Sequence, residues 1–369
     1  MGALHYRRPA MHHVTIHHEP GHYAGWPANY GMWNWGDQIV VAYTVGRFKP
    51  RLHFHAVDPA RPLINTQSRS TDGGNTWTAE PFPGKTPGDR GLSADEHMIP
   101  QLHLSQAIAH DPPTPCTSPT DFTHPDFALM CARTGLDVGA VAFFYTSTDR
   151  CRSWQGPFAL PNHNHLGIAA RTDYLIDSPT ALTMFLTART NAESEGRVIC
   201  VQTEDGGRTF KQISNVGPEP DPPGFAIMPS SVRLPTGLLL TAVRRRDADN
   251  HDWIDLHRSD DRGQTWSPLQ PPVTHTGRGG NPPALTLLRD RRLCLTYAHR
   301  DAPFSICAKL SEDHGQTWSP PITLRDHAGC HDIGYPRTVQ RPDGSIVTAY
   351  YWNDAPNSER YLAATIWEA

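Results

Sequence analysis

Ser70-Thr-Asp-Gly-Gly-Asn-Thr-Trp77 is one of five versions of the same short phrase. The others read STDRCRSW at 147–154, TEDGGRTF at 203–210, SDDRGQTW at 259–266 and SEDHGQTW at 311–318. Their common form is Ser/Thr-x-Asp-x-Gly-x-Thr/Ser-aromatic, with Cys151 where the second copy should carry Gly. Asp and Ser/Thr side chains bond the backbone of their own turn, Gly supplies a positive φ, and the aromatic ring packs the turn against the blade. Each copy therefore predicts a hairpin turn. Asp72, Asp149, Asp205, Asp261 and Asp313 read as turn residues rather than catalytic ones.

Successive copies start 77, 56, 56 and 52 residues apart, and between them lie β-rich runs such as IVVAYTVG, ALTMFLTAR, LLLTAVRRR and LCLTYAHR. That is the period of a four-stranded propeller blade. A last unit, DIGYPRTVQRPDGSIVTAYYWN followed by RYLAATIWEA, has three strands and no copy of the phrase, and the N-terminal run HHVTIHHEP supplies the fourth. The sequence thus predicts an all-β fold: a single β-propeller domain over 1–369, of six units of four antiparallel strands, with the N-terminal strand closing the last blade. The longest spacing carries an insertion, roughly Thr78 to Pro125. The insertion and the segment RFKPRLHFHAVDPARPLIN are expected as loops over one face, where propellers usually bind ligands.

Composition agrees. With 35 Pro and 29 Gly in 369 residues, long helices are excluded. The net charge of −4 and the absence of a basic run beyond Arg244–Arg246 argue against nucleic-acid and membrane partners. No apolar run approaches the roughly 18–20 residues of a membrane span, and the first residues lack the apolar core of a secretory signal, so a cytoplasmic location is expected, or a secreted one if a signal was removed. Seven Cys with no CxxC pair read as buried free thiols. The 21 His are the surplus that calls for an explanation.

The five phrases resemble the Asp-boxes (BNR repeats) of the sialidase-like superfamily. HYAGWPANYGMWNWG (22–36), FTHPDFALMCAR (122–133), GIAARTDYLI (167–176), GFAIMPSSVRL (224–234), GGNPPAL (279–285) and HDIGYPRTVQRPDG (331–344) further resemble propeller enzymes acting on L-rhamnose linked to D-glucuronate, a rhamnosyl-glucuronate lyase and a related α-L-rhamnosidase. The resemblance implies seven blades, against six from the spacing. It also implies departures. Gly25-Trp26-Pro27-Ala28 has no Arg before the Pro, as a sialidase would, and Tyr30 stands where the rhamnosidase resemblance places its His. The first counts against a sialidase, and the second counts against the rhamnosidase and moves weight to the lyase or to an inactive binder; the lyase reading is β-elimination that releases L-rhamnose from rhamnosyl-α-1,4-glucuronate ends. A sialidase-like or rhamnosidase-like hydrolase is the alternative, and a non-catalytic sugar-binding propeller a further one.

A glucuronate lyase needs a cation against the C6 carboxylate, a base for the C5 proton and an acid for the departing O4. Arg171 is the expected cation, and His124 with Tyr174 the expected proton-transfer pair, followed by His97 and His331. Arg244, Arg245 and His299, at strand ends, together with Trp26, Asn29 and Tyr30 of WPANY and Tyr335 and Arg337 of GYPRT, are the expected sugar contacts, since aromatic faces pack pyranoses and Arg meets carboxylates. A hydrolase would need two carboxyl groups; Asp95, Glu96, Asp126, Asp173 and Asp332 are available and nothing in the sequence pairs them. No metal-ligand set is assigned and no cofactor is required, although a divalent cation in the central cavity stays open. The expected partner is an oligosaccharide or polysaccharide containing an acidic sugar.

Overall fold

The protein is described by a computed structural model covering residues 11–50, 54–58, 60–87 and 111–369. Six antiparallel sheets make six blades, the count given by the repeat spacing rather than the seven implied by resemblance. Blade 1 holds Gln38–Arg47, Ile64–Ser70 and Thr78–Pro81 behind a divided inner strand, His22–Gly25 and Gly31–Trp35. Blade 3 repeats that plan, with Leu182–Arg189, Arg197–Thr203 and Lys211–Asn215 behind Gly167–Ala169 and Tyr174–Ile176. Blade 4 (Phe225–Arg233, Leu239–Arg246, Asp252–Ser259, Ser267–Pro268) and blade 5 (Ala284–Leu287, Leu293–His299, Ser305–Ser311, Ile322–Arg325) have four strands each. Blade 6 joins Gly334–Gln340, Ile346–Trp352 and Tyr361–Trp367 to His12–His17, where Val14 faces Ala364.

Blade 2 departs from the four-strand expectation. Among the described residues it has three strands, Ala128–Arg133, Ala142–Ser147 and Gln155–Ala159. The insertion also starts later than expected, because Thr78–Pro81 is the outer strand of blade 1. Its far end lies along blade 2, where Thr114 bridges Phe158.

All five phrases form the same turn. In the fourth, Ser259 Oγ donates to Asp261 Oδ1 at 2.8 Å, Thr265 N donates to Oδ1 at 2.9 Å, and Thr265 Oγ1 donates to Oδ2 at 2.6 Å. The bond from Thr265 Oγ1, then those from Thr265 N and Ser259 Oγ, hold the Asp261 carboxyl down to about 2. Cys151 takes the place of Gly without altering the turn. It adopts φ 60° and donates its N–H to Ser147 Oγ at 2.9 Å.

The aromatic residue of each phrase fastens its blade to the preceding one. Trp154 packs on Trp33 of blade 1 with centroids 5.3 Å apart, Phe210 on Phe144 of blade 2 at 5.5 Å, and Trp266 on Phe185 of blade 3 at 5.8 Å. Trp77 packs into the cluster that holds Val347 of blade 6, and Trp318 into the one that holds Leu256 of blade 4. A local turn signal thus doubles as the joint between blades, each ring pair adding about 0.5–1.5 kcal/mol beyond its buried area.

The inner strands are interrupted at matching places. Trp26, Met228 and Tyr335 each precede a Pro and take φ of 60°, 53° and 52°. Pairing skips from Ile227 to Ser230 in blade 4 and from Gly334 to Arg337 in blade 6. A residue before Pro disfavours helical geometry, and a bulky residue at positive φ is strained by about 1–3 kcal/mol. In blade 3 the break leaves the buried segment Ala170-Arg171-Thr172-Asp173 between the two half-strands. Of the residues at these breaks, Trp26, Arg171 and Tyr335 line a common cavity, while Met228 stays in the core.

Candidate active site

The inner ends of the blades surround a cavity of about 230 Å³. Its wall carries Trp26 and Asn29 from blade 1, Phe54 and His55 from the loop after Gln38–Arg47, Arg133 from blade 2, Arg171 and Glu195 from blade 3, Phe225, Arg244 and Arg246 from blade 4, and Tyr335 from blade 6. Four guanidinium groups therefore meet one carboxylate. Arg171 Nη2 lies 2.7 Å from Glu195 Oε1, Arg246 donates through Nε and Nη2 to both oxygens of Asp252 at 3.0 and 2.9 Å, and Arg133 Nη1 donates to the Ala170 carbonyl at 3.1 Å.

Arg244 has no carboxylate partner among the described residues. It is 7% exposed, lies 5.1 Å over the Phe225 ring, and donates to the Gly279 carbonyl at 2.5 Å, to Tyr335 Oη at 3.3 Å and to Met228 Sδ at 3.5 Å. Its Nε is buried without a bond. A buried cation in that state is costly until an anion joins it.

The second feature is a histidine held by a buried carboxylate. His55 Nδ1 donates to Asp332 Oδ1 at 2.8 Å, while Trp26 meets the ring edge-on at 5.0 Å. Asp332 is fully buried and also accepts from Tyr351 Oη at 2.9 Å, Ala56 N at 3.1 Å and Arg360 Nε at 3.0 Å. Burial alone would raise its pKa; His55, Arg360 and Arg300 overcome that and hold the carboxyl well below the usual range. An ionised carboxylate only accepts, so the proton sits on Nδ1 and His55 keeps Nε2 as its basic atom.

Five residues expected from the sequence meet here: Trp26, Asn29, Arg171, Arg244 and Tyr335. Others lie elsewhere. Tyr30 is buried between blades 1 and 2, its hydroxyl 2.8 Å from Thr44 Oγ1. Arg337 donates to the carbonyls of Ala28 and Thr172, tying three blades together at the hub. Arg245 faces away, 3.4 Å from Asp255 and 5.5 Å from the Trp253 centroid. In blade 5 the buried residue at this strand end is Arg300, directly after His299. Arg300 is fully buried, donating to Ile333 O, Gly280 O and Tyr351 Oη.

The expected pair of His124 and Tyr174 is not built into the cavity wall. His124 Nδ1 accepts from Asp126 N at 3.2 Å in a surface turn. Tyr174 follows the break in its strand, packs against Phe127 in the core, accepts from Leu129 N at 3.3 Å, and has its hydroxyl pushed up to about 12 by burial. His331 sits behind Phe54 at 5.0 Å, lowered to about 4 by burial and then by Arg300. His299 is on the rim beside His275 and Asp301. His97, with Asp95 and Glu96, lies outside the described residues. The cavity wall, rich in Arg and with Glu195 already paired, offers poor ligands to the cation left open by the sequence. His55, Arg133, Glu195 and Arg246 were not singled out by sequence. For His55 the signal was only its place in RFKPRLHFHAVDPARPLIN, the segment expected to cover the ligand face.

The fold and these repeats define a sialidase-like β-propeller. The chain belongs to the BNR repeat-like domain family, which matches residues 105–348. No curated protein sequence matches the chain. Among solved structures, a protein of unknown function from Dyadobacter fermentans is 21% identical, with 96% of this chain and 97% of that one aligned at a TM-score of 0.71. The Hadza microbial sialidase Hz136 is 14% identical over 94% of this chain and 66% of its own, at a TM-score of 0.59. An α-L-arabinanase from Penicillium chrysogenum is 12% identical over 96% and 98%, at a TM-score of 0.57. These likenesses establish the fold.

Proposed function

We propose that the protein is a carbohydrate-active enzyme for an acidic sugar, and most concretely a lyase that releases L-rhamnose from rhamnosyl-α-1,4-glucuronate ends. The observation that carries this reading is Arg244, buried at the cavity wall with no carboxylate partner among the described residues. A uronate carboxylate supplies the missing charge, and the same contact stabilises the enolate-like charge that grows as the C5 proton leaves. His55 Nε2 removes that proton, its ring fixed by Asp332. Electrons from the C5–H bond form the C4–C5 double bond as the C4–O4 bond breaks. Tyr335, whose hydroxyl is 3.3 Å from Arg244, protonates O4, and rhamnose departs with that oxygen.

Hydrolysis is the second reading. It is favoured by Glu195 on the wall and by neighbours whose names are sialidase and arabinanase. The test is incubation with gum arabic or a rhamnosyl-glucuronate oligosaccharide. Rhamnose release with the ultraviolet absorbance of a conjugated uronate supports the lyase. Release without that absorbance supports hydrolysis, and binding without release supports a sugar-binding propeller.

A further inference from the structure

We infer that His275, His299 and Asp301 form a binding site for a divalent transition metal of the Zn²⁺ class on the rim of the cavity. One ring nitrogen of each histidine and a carboxylate oxygen of Asp301 all lie within 4.8 Å of one another. Two imidazoles and one carboxylate are a donor set suited to such ions, with open positions left for water.

The chain places these groups together for structural reasons. Arg300 points inward and is fully buried, so the side chains on either side of it, His299 and Asp301, emerge together on the outer side. His275 arrives from the neighbouring connection, where Thr276 N donates to Asp252 O at 2.9 Å and Arg300 N to Thr276 O at 2.8 Å. Asp301 is oriented from behind: Oδ1 accepts from Arg278 N at 3.1 Å, while Oδ2 faces His275 Nε2 at 2.7 Å. The two rings meet edge-on at 5.7 Å, and His251 stacks on His275 at 5.6 Å. The His275 and Asp301 side chains are about half exposed. They are therefore free to make the small adjustment that metal–nitrogen bonds of about 2.0–2.1 Å require, His275 Nε2 and Asp301 Oδ2 parting from 2.7 Å to about 3.3 Å as the ion displaces the proton between them.

The segment so clamped leads directly to Gly279, whose carbonyl holds Arg244 and which itself lines the cavity. Metal at the rim would thus fix the wall that positions the unpaired guanidinium.

The test is isothermal titration of the chelator-treated full chain with Zn²⁺, alongside His299→Ala, Asp301→Asn and His275→Gln. The expected result is a saturable equivalent of Zn²⁺ that binds at least about 100-fold more weakly in each variant, more than loss of an outer-shell partner costs, and a Zn²⁺-dependent rise in Tm confined to the wild type. Other histidines, including His12, His13, His17 and His18, set a background common to all four proteins. No saturable uptake by the wild type, or uptake unchanged in the variants, overturns the site. Circular dichroism of each variant without metal separates lost binding from lost folding, and His275→Gln retains a polar side chain at an exposed position.

Discussion

His55 and Asp332 lie far apart in the chain yet share a 2.8 Å hydrogen bond that fixes one face of a ring on the cavity wall. The loop from blade 1 brings the histidine, and blade 6 brings the carboxylate that sets its tautomer. His55→Gln should lower turnover of a rhamnosyl-glucuronate substrate by about 10²- to 10⁴-fold, the usual worth of a positioned acid or base. Asp332→Asn should cost a comparable factor and also destabilise the fold, since Arg360 loses its buried counter-ion. Turnover within threefold of wild type in His55→Gln would remove His55 from the reaction.

Arg244→Leu separates binding from folding. Loss of a charge-assisted bond of about 1.5–3 kcal/mol should raise Kd for a glucuronate-ended oligosaccharide by about 10- to 150-fold. Because the cation is buried without a counter-ion among the described residues, Tm should stay level or rise. Titration calorimetry and a thermal melt decide it: unchanged affinity for the acidic sugar contradicts the role given to Arg244.

Asp173 gives a pH signature. Burial raises its carboxyl to about 6, against the opposing bonds from Ser231 and the charge of Arg337. The folded state then holds a proton that the unfolded chain releases near pH 3.9, so this group's contribution falls as pH rises from about 4 to 6 and stays unfavourable above that. Asp173→Asn should therefore gain about 1–3 kcal/mol over wild type at pH 8 and little or nothing at pH 4. Denaturant melts at both values measure the difference; an equal gain at both would show that titration of Asp173 is not its source.

Trp154 tests the joints between blades. It is buried against Trp33 and donates from Nε1 to Gln67 Oε1 at 3.2 Å. Trp154→Ala should cost about 3–5 kcal/mol, while affinity for the acidic sugar, measured well below the lowered Tm, should change less than twofold. A loss under 1 kcal/mol would mean that the ring is not holding blade 2 to blade 1.

The fold was legible because each repeated phrase closes a turn with its own atoms. Ser259, Asp261 and Thr265 complete their bonds within seven residues, and the spacing of such turns counts the blades. The cavity was legible only in part. Trp26, Arg171 and Tyr335 stand at marked breaks in inner strands and were found. Arg245 was mistaken for a wall residue because adjacent strand residues point to opposite faces, and a shift of one position reverses the reading. His55 and Asp332 meet through tertiary folding alone, with no local pattern to pair them. Tyr174 shares its motif with Arg171, but the strand resumes between them and takes the tyrosine into the core.

The breaks before Pro27, Pro229 and Pro336 join blades 1, 4 and 6 at the hub. On the far side of each break in blades 4 and 6 the ladder resumes, with Ser230 opposite Ala242 and Arg337 opposite Ala349. The side chain at the break is thereby released from the register that holds the sheet. Trp26, Met228 and Tyr335 instead meet in one buried cluster, so a change at any of the three breaks is felt by the other two.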